Sequence, residues 1–189
     1  MVRPRSEEKR TALLDAAADV VAADGVEART AAVAKLAGVA EGTLFRHFAT
    51  KDVLLDELYL HLKQDLGDAM RKGFAAKGSL EDQARSLWDG YIDWGIANPS
   101  SAKALSKLAV AECVGTETRS RAQKIFPEVA EVSKACAAMG TLAGLPAGFA
   151  DAIFVAVAGA TIQSAIQDPE RADEYKLSGF KVFWKGLTR

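Results

Sequence analysis

Between Thr30 and Lys51 the chain reads TAAVAKLAGVAEGTLFRHFATK, which sets two short helical segments on either side of Gly38. Glycine takes a left-handed backbone without the Cβ penalty that other residues meet, so Gly38 permits a tight turn between them. Val33 and Leu36 lie three apart in the first segment, and Leu44 and Phe48 lie four apart in the second. Each segment therefore has one apolar stripe to bury against the other. With Leu44 and Phe48 turned inward, Thr43, Arg46 and His47 share another face, and Gly42 allows close backbone approach at the helix start. Two helices so joined, with hydrogen-bonding side chains outward on the second, have the form of a helix-turn-helix offered to a major groove.

Charge is segregated to match. The whole chain has 24 Lys and Arg against 25 Asp and Glu, a formal net charge of -1, which excludes a generic polyanion binder. Within the motif, however, Arg29, Lys35, Arg46 and Lys51 stand against a single acid, Glu41. An N-terminal arm adds Arg3, Arg5, Lys9 and Arg10 against Glu7 and Glu8, whereas Asp15, Asp19, Asp24 and Glu27 make the stretch between arm and motif acidic. A basic arm and basic motif with an acidic back suit a surface that docks one face on phosphates.

Outside the motif the spacing predicts helices throughout. Glu7 to Asp24 carries Leu13, Ala17, Val20 and Val21 on one side and closes at Gly25. After Lys51, the residues Leu54, Leu55, Leu58 and Leu62 continue a long helix towards Met70, ending near Gly73 or Gly78. Ser79 with Asp82 marks another start, and Leu87 through Ala97 forms the body of a helix that Asn98-Pro99 breaks. Further helices are predicted from Ser100 to about Val114 and from Thr116 onward, the latter kinked or divided at Pro127. Gly144, Pro146 and Gly148 precede a helix between Phe149 and Gln167, and Asp168-Pro169 precedes a last one around Tyr175 to Leu187. No strand alternation, repeat or low-complexity linker interrupts them, so the expected class is all-α.

With 189 residues, 49% of them hydrophobic, the chain can bury a sizeable core, expected as a three-helix head at 1–51 and a larger helical domain at 52–189. The longest apolar stretch, Ala152 to Gln167, contains Thr161, Gln163 and Ser164 and reads as too short and too polar for a membrane span of about 20 residues. No basic-apolar-small leader pattern opens the sequence, so the expected location is cytoplasmic, with no membrane partner. Cys113 and Cys136 are expected as free thiols.

The run AEGTLFRHFATKDVLLDELY closely resembles the signature around the recognition helix of TetR/AcrR-family transcriptional repressors, over roughly the first 60 residues. The resemblance implies that Thr30 caps the first helix of the motif and touches phosphate. It places Thr43, Phe45 and His47 along the backbone and groove edge, with Gly42 at the helix start, leaves Arg46 free for bases or phosphate, and sets Lys51 on phosphate. The sequence departs from the family in Ala31 and Ala32, where relatives often carry a polar or basic reader, and in Ala40, where Ser is frequent. The weaker N-cap at Ala40 costs about 1 kcal/mol of helix stability.

Two clusters in the larger domain are candidates for function. Trp88, Tyr91 and Trp94 recur every three residues on one helix, a stripe that suits a core or, because indole N–H and phenol O–H need partners, the wall of an apolar cavity. The family resemblance implies an inducer pocket lined by some of Trp88, Tyr91, Trp94, Cys113, Phe126 and Met139. Phe149 to Ile166 is apolar on nearly every side, with Ala156, Gly159 and Ala160 small enough for close helix approach. A monomer with a fully buried central helix covers it. So does a two-fold dimer through Ile153, Ala156, Val157, Ala160, Phe180, Phe183 and Trp184, which is how similar repressors dimerise.

Catalysis has little to stand on. His47 is committed to the second motif helix, and Glu57, His61 and Asp65, spaced by four, suit a solvated face as well as a metal site. No nucleophile elbow, phosphate-cradling glycine loop or zinc motif occurs. No catalytic residue, metal or cofactor is expected. The sequence points to a homodimeric repressor that binds a double-stranded, palindromic operator and is released by a small apolar effector. The alternative is a helical small-molecule carrier or partner-binding protein without DNA-binding activity.

Overall fold

The computed structural model describes residues 4–145 and 147–188. Arg3 of the basic arm, the side chain of Arg5, and Pro146 lie outside the described residues. Among the described residues every regular element is helical. The α-helices are α1 (Pro4–Asp24), α2 (Thr30–Leu36), α3 (Glu41–His47), α4 (Lys51–Arg71), α5 (Leu80–Ala97), α6 (Pro99–Ala109), α7 (Thr116–Gln123), α8 (Pro127–Ala137), α9 (Ala147–Gln167) and α10 (Ala172–Thr188). Short 3-10 turns at Gly140–Leu142 and Pro169–Arg171 complete the set.

The punctuation expected from sequence acts through identifiable bonds. Gly25, with φ of 87°, ends α1. Ser79 and Asp82 cap α5 reciprocally: the Ser79 amide donates to Asp82 Oδ2 at 3.0 Å, and the Asp82 amide donates to Ser79 Oγ at 3.2 Å. Donation from the Ser79 hydroxyl to Asp82 Oδ2 at 2.7 Å, joined by that from the Ser79 amide, holds the Asp82 carboxyl below its ordinary titration range. Pro127 divides rather than kinks, because it takes the first position of α8. α6 closes at Ala109, short of the expected Val114. There Arg119 fans its guanidinium over the carbonyls of Ala109, Ala111 and Val114, at 2.7, 2.7 and 3.2 Å, and so takes acceptors a continuing helix would use. Val110 is consequently 84% exposed. α9 opens at Ala147, before Gly148, so Gly148 lies inside the helix.

The chain divides into two compact units whose boundaries differ from the expected division after residue 51. The first comprises residues up to Asp65 together with Asn98–Ala122, and the second comprises Leu66–Ala97 with Gln123 onward. α6 belongs with α1 because Ala104, Leu105 and Leu108 are buried in the same core as Leu13, Leu14, Ala17 and Val21. Lys107 fastens the pair, its Nζ donating to the carbonyls of Ala22 at 3.0 Å and Val21 at 3.2 Å in the last turn of α1. A cation there also complements the negative end of the helix dipole. Arg10 reaches Glu57 on α4 at 2.6 Å, and Asp56 accepts the Gly115 amide at 3.0 Å.

In the second unit α5 is the packing axis, with Trp88 fully buried against Phe154, Phe180 and Phe183. Close contacts are bought with glycine: a Cβ on Gly90 would lie 2.9 Å from Met70 Cα, and one on Gly95 would lie 2.4 Å from Ile162 Cδ1. Phe149–Gln167 reaches the length and apolarity of a membrane-crossing helix by composition alone, a test that the core helix of a soluble protein also passes. Only 28% of that window is buried, so most of α9 presents apolar surface.

Gly90→Ala should lower stability. Alanine is intrinsically better than glycine in a helix by about 0.5–1 kcal/mol, but the new methyl meets backbone, and overpacking of that kind costs about 1–3 kcal/mol. Thermal melting should fall by a few degrees; a midpoint at or above wild type would show that α4 and α5 part freely at this contact.

Candidate nucleic-acid interface

The turn between α2 and α3 is built as the sequence requires. Gly38 holds φ of 69°, and the amides of Gly38 and Val39 donate to the carbonyls of Lys35 and Ala34 at 3.2 and 3.0 Å. Leu44 and Phe48 are completely buried, which fixes the rotation of α3. Phe48 also lies beneath the Arg10 guanidinium, 5.3 Å from ring centroid to Cζ. The residues between them turn outward: Phe45 is 43% exposed, Arg46 is exposed, and Thr43 and His47 are half-buried at the flanks. Nothing would lie within 4 Å of a Cβ on Gly42, so the backbone at the start of α3 is open to close approach.

Two expected details differ. Leu36 is 55% exposed and takes no part in the α2 stripe, which consists instead of Val33 and Ala34. The buried face of α2 is centred between Val33 and Ala34, and Leu36, about 110° round the helix from that centre, turns to solvent. Thr30 does not cap α2 either: it is the first residue inside the helix, and Arg29 occupies the N-cap without a side-chain bond. The Thr30 hydroxyl donates instead to Glu41 Oε1 at 2.6 Å. Its one proton is thus committed and is not offered to phosphate in this geometry. Ala40 caps α3 with no side-chain acceptor, as its methyl dictates. Lys51 opens α4 with its Nζ 3.7 Å from Glu27 Oε2, a loose surface pair that leaves the ammonium able to meet phosphate. Thr50, which the sequence reading passed over, caps α4 by accepting the Val53 amide at 3.2 Å; its signal was a Thr directly before a Lys-Asp helix start.

The remaining candidates are distributed differently from the expectation. Glu57 is taken by Arg10, and His61 Nε2 lies 3.4 Å from Asp15, so these two residues of α4 face α1 rather than a common ion. Trp88, Tyr91, Trp94, Phe126 and Met139 belong to the second unit and Cys113 to the first. Trp88 is core: its Nε1 donates to the Lys176 carbonyl at 3.0 Å, which satisfies the indole without any cavity. Trp94 and Phe126 are buried as well, Phe126 against Phe74 and the Arg71 guanidinium. Tyr91 and Met139 are half-buried. Burial against Phe154 and its neighbours pushes the Tyr91 phenol above its ordinary range. Burial does the same to both thiols, of which Cys136 is buried and Cys113 half-exposed.

Of the expected dimer surface, Ile153, Ala156 and Ala160 are exposed along α9 and Val157 is half-buried. Phe180 and Phe183 differ from the expectation, since both are buried within the chain around Trp88, and Trp184 is half-buried, stacked on Phe180 at 5.9 Å. On α10 the exposed apolar residues are Leu177 and Val182.

Residues 13–58 match the family described as bacterial regulatory proteins, tetR family. Across the whole chain the fold is similar to a putative tetR family transcription regulator from Shewanella sp. PV-4, 27% identical over 96% of this chain and 98% of that one, with a TM-score of 0.77. A TetR family transcription regulator from Marinobacter aquaeolei VT8 superposes with a TM-score of 0.83 at 20% identity, covering 98% of each chain. The TetR-like transcriptional regulator LfrR from Mycobacterium smegmatis, in complex with proflavine, does so with a TM-score of 0.66 at 20% identity, covering 96% of this chain and 98% of that one.

Proposed function

We propose, for a chain that belongs to the tetR family of bacterial regulatory proteins, a homodimeric transcriptional repressor whose operator affinity is lowered by a small apolar effector. One observation carries the DNA-binding part: Leu44 and Phe48 are sealed beneath α3 while Phe45 and Arg46 stand out from it, inside the segment that matches the family. A helix so fixed presents its outer side chains at a constant height, as base-edge recognition requires. In this reading Arg46 reaches bases or phosphate, Thr43, Phe45 and His47 follow the groove edge past Gly42, and Lys51 neutralises a phosphate.

The dimer rests on α9. Phe149, Ile153 and Ile166 lie exposed with the small Ala156, Gly159 and Ala160 between them, an apolar surface that water does not favour and a second copy can cover. A two-fold pair sets two α3 helices against successive major grooves and so calls for a palindromic operator. The LfrR complex with proflavine supports the effector, placed here in the second unit near Tyr91 and Met139, the expected lining residues of that unit that are not sealed in its core. An effector that binds the non-matching arrangement of the dimer more tightly shifts the population and releases DNA.

Gel shifts on duplex DNA flanking the protein's own gene test the first part. Arg46→Ala should weaken operator binding by roughly 1–3 kcal/mol if the guanidinium reads a base, and Lys51→Ala should weaken all sequences alike. Unchanged shifts for both would remove the motif from function. Ala160→Arg should turn a dimer into a monomer by light scattering, because a charge buried at a close helix contact lacks a partner; a monomeric wild type would end the two-fold reading. An apolar ligand of the second unit should quench tryptophan fluorescence, raise the melting temperature and lower operator affinity together, and operator should lower its affinity by the same factor. Binding without that reciprocity would make the compound a mere passenger.

A further inference from the structure

We propose that Glu41 selects a cytosine in each half of the operator, with Thr30 as the residue that positions its carboxylate; this rests on the operator-binding reading above. Glu41 is the first residue of α3 and Thr30 the first of α2, and the 2.6 Å bond from Thr30 Oγ1 to Glu41 Oε1 ties the two helix starts together. That bond occupies one lone pair of one carboxylate oxygen. Oε2 and the other lone pairs of the exposed side chain remain able to accept.

The placement is costly unless it is used. Glu41 is the single acid between Arg29 and Lys51, on a surface otherwise charged by Arg29, Lys35, Arg46 and Lys51. Near phosphates a carboxylate lowers affinity for DNA of every sequence. It recovers that loss only where a donor meets it, and the first residues of a recognition helix are those that reach base edges. In the major groove, guanine shows acceptors at O6 and N7 and thymine an acceptor at O4, all of which repel it. Adenine offers N6–H but sets the N7 acceptor beside it. Cytosine N4–H₂ is the donor without an adjacent acceptor, so a fixed carboxylate favours cytosine. The Thr30 hydroxyl supplies the fixing: a glutamate otherwise free to rotate is held by a bond that spans the turn.

The test is selection from a random-sequence duplex pool by wild type, Glu41→Ala and Glu41→Gln. Wild type should enrich a two-fold motif with cytosine at one position per half-site, preferred roughly 5- to 100-fold. Glu41→Gln should change that position to adenine, because an amide can donate to N7 and accept from N6–H, and leave the other positions as they were. Glu41→Ala should lose preference there while binding unrelated DNA more tightly at low salt. Thr30→Val should blunt the cytosine preference and Thr30→Ser should keep it; a Thr30→Val pool as selective as wild type overturns the positioning role. An enriched wild-type motif that both Glu41 variants reproduce base for base overturns the inference alone. So does a Glu41→Gln protein that enriches nothing, since an isosteric reader changes which base is held and not whether DNA is bound. A wild type that enriches nothing overturns the operator-binding reading and this inference with it.

Discussion

Burial of Leu44 and Phe48 is the constraint on which the candidate interface depends. Seven residues make too short a helix to stand by its own hydrogen bonds, so α3 exists because two apolar side chains are fully removed from water beneath it. Their burial chooses which residues face outward: rotation of α3 by one residue would bring Phe45 under and turn Phe48 out. The direction of Arg46 is therefore decided by the core below it. The cation over the Phe48 ring and the left-handed Gly38 hold the same rotation from either end.

The Trp88 indole governs the second unit in a similar way. Three phenylalanines from α9 and α10 surround it, and a backbone carbonyl of α10 takes its one donor. This answers where Phe180 and Phe183 go, and among the described residues it leaves the large exposed apolar side chains of the unit on α9, with Leu145 before it and Leu177 and Val182 of α10. Trp88 of the aromatic stripe and Phe180 and Phe183 of the last helix thus bury one another.

Local signals were legible in the sequence and partner-dependent ones were not. The break at Gly38, the cap at Ser79 and Asp82, and the division at Pro127 follow from backbone chemistry within a few residues, and each stands where its residue types put it. The rotation of α3 was legible from Leu44 and Phe48, but that of α2 was misjudged, since spacing could not say whether Leu36 or Ala34 shared the stripe with Val33. The shortening of α6 depends on Arg119, ten residues on from Ala109 in the next helix, and no periodicity reports such a bond. Glu41 was counted only as a charge because its partner, Thr30, lies across the turn. The division into units was missed for the same reason: nothing in residues 1–51 announces that α6 will lie on α1.

That placement of α6 bears on how the chain is made. The first unit is discontinuous, with its polypeptide leaving at Asp65 and returning at Asn98. As the protein emerges from the ribosome, residues up to Asp65 appear with the groove on α1 still bare and the last carbonyls of α1 still without the Lys107 ammonium. The helix-turn-helix is thus synthesised ahead of α6 but completed only with it, and it reaches its final packing only after α5 has also been released. A nascent chain stalled before Asn98 would carry the whole motif without the helix that closes its core, and would show translation-linked quality control an exposed apolar seam along α1.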